Sequence, residues 1–154
     1  MKKTLLTLTS LIGVIAMAQT ATANVSVKLN PIMSITVNQP LVAFAIDTEE
    51  EYLEGAETLI HDHLTTFSTV GYKVSTRYLT SDFADNTISV TASGVNNVDY
   101  GATVPLKSTS QQLFSSVNGL GRKSHDVKYI VKGGLYDQDM GTYETVVVYE
   151  ITTN

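Results

Sequence analysis

Val25-Ser26-Val27-Lys28-Leu29-Asn30-Pro31-Ile32-Met33-Ser34-Ile35-Thr36-Val37 is the stretch that decides the fold class. Its odd positions are apolar or proline throughout, and its even positions are polar with the single exception of Ile32. Side chains of an extended chain point alternately to opposite faces, so a period of two held over thirteen residues predicts strand with one buried face. Pro31 brings no amide hydrogen to a ladder and is expected to split the run or to mark a sheet edge.

Working outward toward the C-terminus, further strand signals follow at short intervals. Leu41–Ile46 is a continuous apolar run, Gly71–Thr80 alternates Tyr72, Val74, Thr76 and Tyr78, and Asn86–Ala92 places Ile88, Val90 and Ala92 on one face. Thr103–Lys107, Gln111–Val117, Val127–Lys132 and Thr142–Thr153 complete the set. Turn-forming clusters separate them at Asp82–Asn86, Gly94–Asn97, Gly119–Gly121, Gly133-Gly134 and Asp137–Gly141. Short strands with this punctuation predict an all-β, immunoglobulin-like β-sandwich. One segment departs: Asp47–Leu64 carries Glu49, Glu50, Glu51, Glu54 and Glu57 with apolar residues at helical spacing, and Thr48 with Glu51 forms a capping-box signature. It reads as an acidic insertion with a short helix or loop, with Leu59–Phe67 returning to strand.

Composition agrees. The chain has 154 residues, no Cys, no Trp, three His and 16% charged residues, against roughly 25% in an average domain. Without Cys there are no disulfides, thiolate metal sites or Cys nucleophiles. Net charge is −5, and −7 (8 basic against 15 acidic residues) once Lys2 and Lys3 are removed, which argues against a nucleic-acid partner.

That removal is expected. Met1-Lys2-Lys3 is a basic start, Thr4–Ile15 an apolar run too short to cross a bilayer, and Ala16-Met17-Ala18 and Ala21-Thr22-Ala23 are small-x-small cleavage signals. Residues 1–18 read as a signal peptide for Sec export, with cleavage after Ala23 as the other option. The mature chain has no second long apolar run and is expected not to span a membrane.

The search for chemistry finds little. His61-Asp62-His63 is the only metal-like spacing, since residues i and i+2 of a strand share a face, but zinc usually takes a third or fourth ligand and His125 lies far away in sequence. The acidic run lacks the D-x-[DN]-x-[DN]-G order of a calcium loop, no G-x-S-x-G elbow occurs, and Gly119–Lys123 reads as a turn. No catalytic residue and no cofactor are assigned, and the chain is not read as an enzyme.

The two ends carry more. Counting back from Asn154, Gly141 stands fourteenth; Tyr143, Thr145, Val147, Tyr149 and Ile151 then alternate to the end of the chain. This resembles the C-terminal β-zipper of chaperone–usher fimbrial subunits, although Thr153 stands where that family usually has Tyr. At the other end Ala21, Ala23, Val25, Val27 and Leu29 share one face of Gln19–Asn30, with Pro31 closing it. The pattern is similar to the family's donor strand, and with no Cys the chain looks most like its capsule-like and alternative members.

The resemblance implies residues 19–30 as a donor extension and 31–154 as a pilin domain whose immunoglobulin-like sandwich lacks a strand. It implies polymerisation by donor-strand exchange with copies of itself or related pilins, in a fimbria that supports adhesion or biofilm. The same resemblance implies a periplasmic chaperone and an outer-membrane usher as partners, and a path through the periplasm to the cell surface. A second reading is a monomeric secreted sandwich that binds carbohydrate or protein, in which Val25–Leu29 pairs with its own sheet.

Overall fold

The computed structural model describes residues 22–43, 45–93, 102–117, 121–136 and 138–154. The chain forms β1 (Met33–Val37), α1 (Glu49–Glu54), β2 (Gly55–Ser68), β3 (Tyr72–Ser81), β4 (Ile88–Ala92), β5 (Val104–Pro105), β6 (Gln111–Ser116), β7 (Gly121–Lys132) and β8 (Thr145–Thr153). Five strands make one sheet in the order β1-β2-β7-β4-β5, and three make the other in the order β6-β3-β8. Every neighbouring pair is antiparallel. The fold is an all-β sandwich.

Alternation builds its core. Along β7, His125, Val127, Tyr129 and Val131 point inward and are buried; along β3, Tyr72, Val74 and Thr76 do the same. Leu64, Val90, Ala92, Leu106, Leu113 and Phe114 fill the space between the sheets. Thr76 Oγ1 has no partner among the described residues, but His125, Thr66 and Tyr72 are bonded as a set. His125 Nδ1 lies 3.1 Å from the Ser93 carbonyl and must donate to it, which leaves Nε2 to accept from Thr66 Oγ1 at 2.9 Å, and Thr66 Oγ1 in turn accepts from the Tyr72 hydroxyl at 2.9 Å.

The acidic insertion contains the helix its capping signature predicts. Thr48 Oγ1 accepts the Glu51 amide hydrogen at 3.2 Å, and Glu51 Oε2 accepts the Thr48 amide hydrogen at 3.1 Å. Amide hydrogens from Asp47 and Thr48 hold the Glu51 carboxyl below its ordinary value. The helix is a single short element because Gly55, at φ +99°, turns the chain directly into β2. There Gly55 and Gly133 pass so closely that a Cβ on Gly133 would lie 2.2 Å from the Leu53 carbonyl oxygen.

Two expectations are corrected. The period-two run from Val25 yields strand only from Met33, because the ladder to β2 begins past Pro31 and residues 22–32 lie outside both sheets. The described residues of Leu41–Ile46 are not strand; they follow Asn38, whose amide donates to the His63 carbonyl just past the end of β1, and line the groove beside β8. Strands β2 and β7 extend further than the sequence reading placed them, since each supplies the other's longest ladder. Gly94–Asn97, Gly119, Leu120, Asp137 and the signal segment 1–18 lie outside the described residues. Among those described, no helix is long and apolar enough to cross a membrane.

Candidate functional site

At one side the two sheets meet through β5 and β6, at the other through the edge strands β1 and β8, and past the end of β1 a groove opens beside β8. Strand β8 pairs with β3 along its whole length, and no described strand pairs with its outer side. The consequence shows in burial. Thr145, Val147, Tyr149 and Ile151 point inward but are only half-buried, whereas the inward residues of β7 are closed off from solvent. The space beside them is a groove of about 760 Å³. Val42, Ala45 and Ile46 from the strap after β1, Ile88 and Val131 from the opposite sheet, and Val147 from β8 give it an apolar lining.

A row of unpaired backbone groups beside an exposed apolar interior is an association hazard unless something covers it. The chain also carries a segment of matching character. Residues 22–32 are exposed, and Val25, Val27 and Leu29 are 86%, 75% and 88% accessible. These three side chains and Ala23 alternate with Thr22, Asn24, Ser26 and Lys28, so in extended conformation they form one apolar edge. Ala21 lies outside the described residues.

The groove is not uniformly apolar. Between Ile60 and Leu64 the β2–β7 register shifts at a bulge, where Asp62 adopts φ +51°. A bulge places two successive side chains on one face, and here both His63 and Leu64 turn inward. His63 Nε2 lies 2.8 Å from the Tyr129 hydroxyl, which lies 2.6 Å from the Tyr149 hydroxyl. All three residues line the groove. His63 is 2% exposed and its Nδ1 is without a partner among the described residues. Burial holds its imidazole below the ordinary value and pushes the phenols up, Tyr129 to about 12.

The same bulge separates the two histidines that a regular strand would bring together. His61 is exposed and its Nδ1 sits 3.0 Å from Asp126 Oδ2, while His63 faces the interior. Among the described residues no three His, Asp or Glu side chains gather to hold a metal ion.

The C-terminal signature residues divide similarly. Thr145, Val147, Tyr149 and Ile151 line the inner face of β8; Gly141 and Tyr143 lie in the loop before it. There the Tyr143 ring stacks on Phe83 at 5.1 Å and its hydroxyl donates to the Asp139 carbonyl. Sequence reasoning missed the polar chain altogether. Its one legible signal was Asp62 itself, because Asp tolerates positive φ better than most residues. The chain matches no family model and no curated protein.

Proposed function

We propose that this protein is an exported structural subunit of a fimbria or pilus-type polymer, in which the N-terminal segment of one copy fills the groove beside β8 of the next. What carries this reading is the pairing of a deficit with a surplus. Strand β8 has no partner on its outer side among the described strands, and the alternating apolar segment 22–32 lies outside both sheets. Strand addition supplies main-chain hydrogen bonds along β8 and covers its half-open inner face in one step.

The path of the chain into β1 favours a neighbour's groove over its own. The Ile32 carbonyl accepts from the Thr69 amide and the Gly71 carbonyl accepts from the Asn154 amide, so the chain enters β1 at the end of the sandwich where β8 finishes. Folded back on its own β8, the segment would have to run parallel to it. A second copy's segment is free to run antiparallel. Until it arrives, a periplasmic chaperone would protect the β8 edge and an outer-membrane usher would deliver the subunit, so that the polymer forms at the cell surface.

The test is a gel of material sheared from producing cells, run with and without boiling, with N-terminal sequencing of the monomer band. Donor-strand junctions are trapped kinetically and should give a ladder in detergent that collapses to one band on heating. That band begins at Gln19, which leaves the whole alternating segment available. A single unboiled monomer band, or a truncation starting at Pro31 that still polymerises, overturns the proposal.

A further inference from the structure

His63, Tyr129 and Tyr149 make one polar station in a groove whose other walls are largely aliphatic, and the station is incomplete. Its two hydrogen bonds are internal, His63 to Tyr129 and Tyr129 to Tyr149, and His63 Nδ1 has no partner among the described residues. Buried polar atoms in native proteins are nearly always bonded, and of the three without a partner among the described residues, His63 Nδ1, Thr76 Oγ1 and Ser116 Oγ, only the first belongs to a residue that lines the groove. The His63 ring also meets Tyr149 edge-on at 6.2 Å, and together the rings take up room in the groove at this point of β8.

With Ala23 at this obstruction, only the antiparallel direction keeps the whole segment on β8 and the loop before it. Ala23 and Leu29 are six residues apart, as are Tyr149 and Tyr143. Running antiparallel to β8, Ala23 sits over Tyr149, Val25 over Val147, Val27 over Thr145, and Leu29 reaches the Phe83–Tyr143 stack. Running parallel with Ala23 over Tyr149, Val27 would lie over Thr153 and Leu29 would pass beyond the end of β8.

We infer that the His63–Tyr129–Tyr149 station sets the register of the groove and its choice of strand, accepting only a small or hydroxyl-bearing side chain at the position that Ala23 of a second copy occupies. This rests on the donor-strand reading and adds to it a rule of selection. A strand offering Ser where this chain offers Ala would satisfy His63 Nδ1 and bind more tightly; a strand offering Leu would be refused.

The experiment uses the full chain carrying Val27→Asp as acceptor, so that its own segment does not compete, and a fluorescent synthetic peptide of residues 20–30 as probe, read by anisotropy. The wild-type peptide binds. The Ala23→Ser peptide binds about fivefold tighter, as one new hydrogen bond to a buried group predicts. The Ala23→Leu peptide binds about tenfold weaker, as overpacking predicts. Against acceptors that also carry His63→Leu or Tyr149→Phe, each shown to unfold cooperatively, the gain from serine disappears for the first and shrinks for the second.

No gain from Ala23→Ser, a gain that survives His63→Leu, equal binding of Ala23→Leu, or a gain that appears at Val25→Ser instead would each overturn the station's role while leaving the donor-strand reading standing. Failure of the wild-type peptide to bind, with every variant peptide failing too, would overturn both.

Discussion

Asp126 Oδ1 accepts the Asp62 amide hydrogen at 2.8 Å, and that bond holds the bulge that turns His63 into the core. The other carboxylate oxygen of Asp126 holds His61 at 3.0 Å, and Asn38 Nδ2 donates to the Asp62 carbonyl from β1's end. A charged acceptor on β7 thus fixes an irregular residue on β2. The Asp62 amide, followed by His61, keeps the Asp126 carboxyl below its ordinary value.

Replacing Asp126 with Ala should therefore cost about 1.5–3 kcal/mol, the range for hydrogen bonds to a charged group. Asp126→Asn keeps an oxygen for the Asp62 amide and should cost less than half as much. Urea denaturation of the two variants checks the order. Equal losses would mean that the bulge does not depend on this acceptor.

Acid should destabilise the fold in two separate windows. Burial lowers both His63 and His125, so the unfolded chain binds their protons first. Stability is then level above about pH 6.5, the ordinary imidazole value, and falls as pH drops below it toward the folded values. Each histidine contributes at most about 1.4 kcal/mol per pH unit. Asp126 acts lower: its contribution is present above about pH 4 and is lost as pH falls through its depressed folded value. Melting curves between pH 7.5 and 5 isolate the first window, and His63→Leu should flatten part of it. A wild-type melting temperature that does not change across that range would contradict the neutral, buried state of both histidines.

Two neighbouring glycines should differ sharply. A Cβ on Gly133 meets the Leu53 carbonyl oxygen at 2.2 Å and the Gly55 amide nitrogen at 2.7 Å, all backbone, with no side chain able to swing away. Gly134, at φ +82°, has nothing within 4 Å of the added carbon. Gly134→Ala should cost about 1–2 kcal/mol for its positive φ alone. Gly133→Ala should cost more, because α1 must separate from the end of β7. Thermal unfolding of both single variants decides the order.

Val27→Asp should separate assembly from folding. Val27 is 75% exposed, so the unfolding midpoint of the monomer should stay within about 0.5 kcal/mol of the wild type. In an occupied groove the same carboxylate would be buried without a partner, which opposes each junction by several kcal/mol. Sedimentation of the variant should show monomer where the wild type shows multimers. Multimers of unchanged size would place the contact elsewhere.

Much of this was written locally. The period of two gave the sheet character and the inward sets of β3 and β7, since alternation along a strand is enforced by backbone geometry whatever lies around it. The pair Thr48 and Glu51 announced α1 for the same reason: a capping box closes within four residues. Alternation in Val25–Leu29 was equally plain, but alternation does not state whether a strand has a neighbour, and in this molecule those residues have none. The apolar run Leu41–Ile46 misled in the same way, for its described residues line the groove beside β8 without forming a strand.

What the sequence alone determined, then, is the all-β class, the inward faces of the main strands, the capped helix and the apolar edge of the N-terminal segment. Only the tertiary structure decided that β8 ends a sheet with its outer side unpaired, that the two histidines of His61-Asp62-His63 part company, and that His63, Tyr129 and Tyr149 meet. The reason is physical. Faces and caps depend on bonds between residues a few positions apart, whereas an edge, a bulge clamped by Asp126, and a hydrogen-bonded chain drawn from β2, β7 and β8 exist only after strands distant in sequence have found one another.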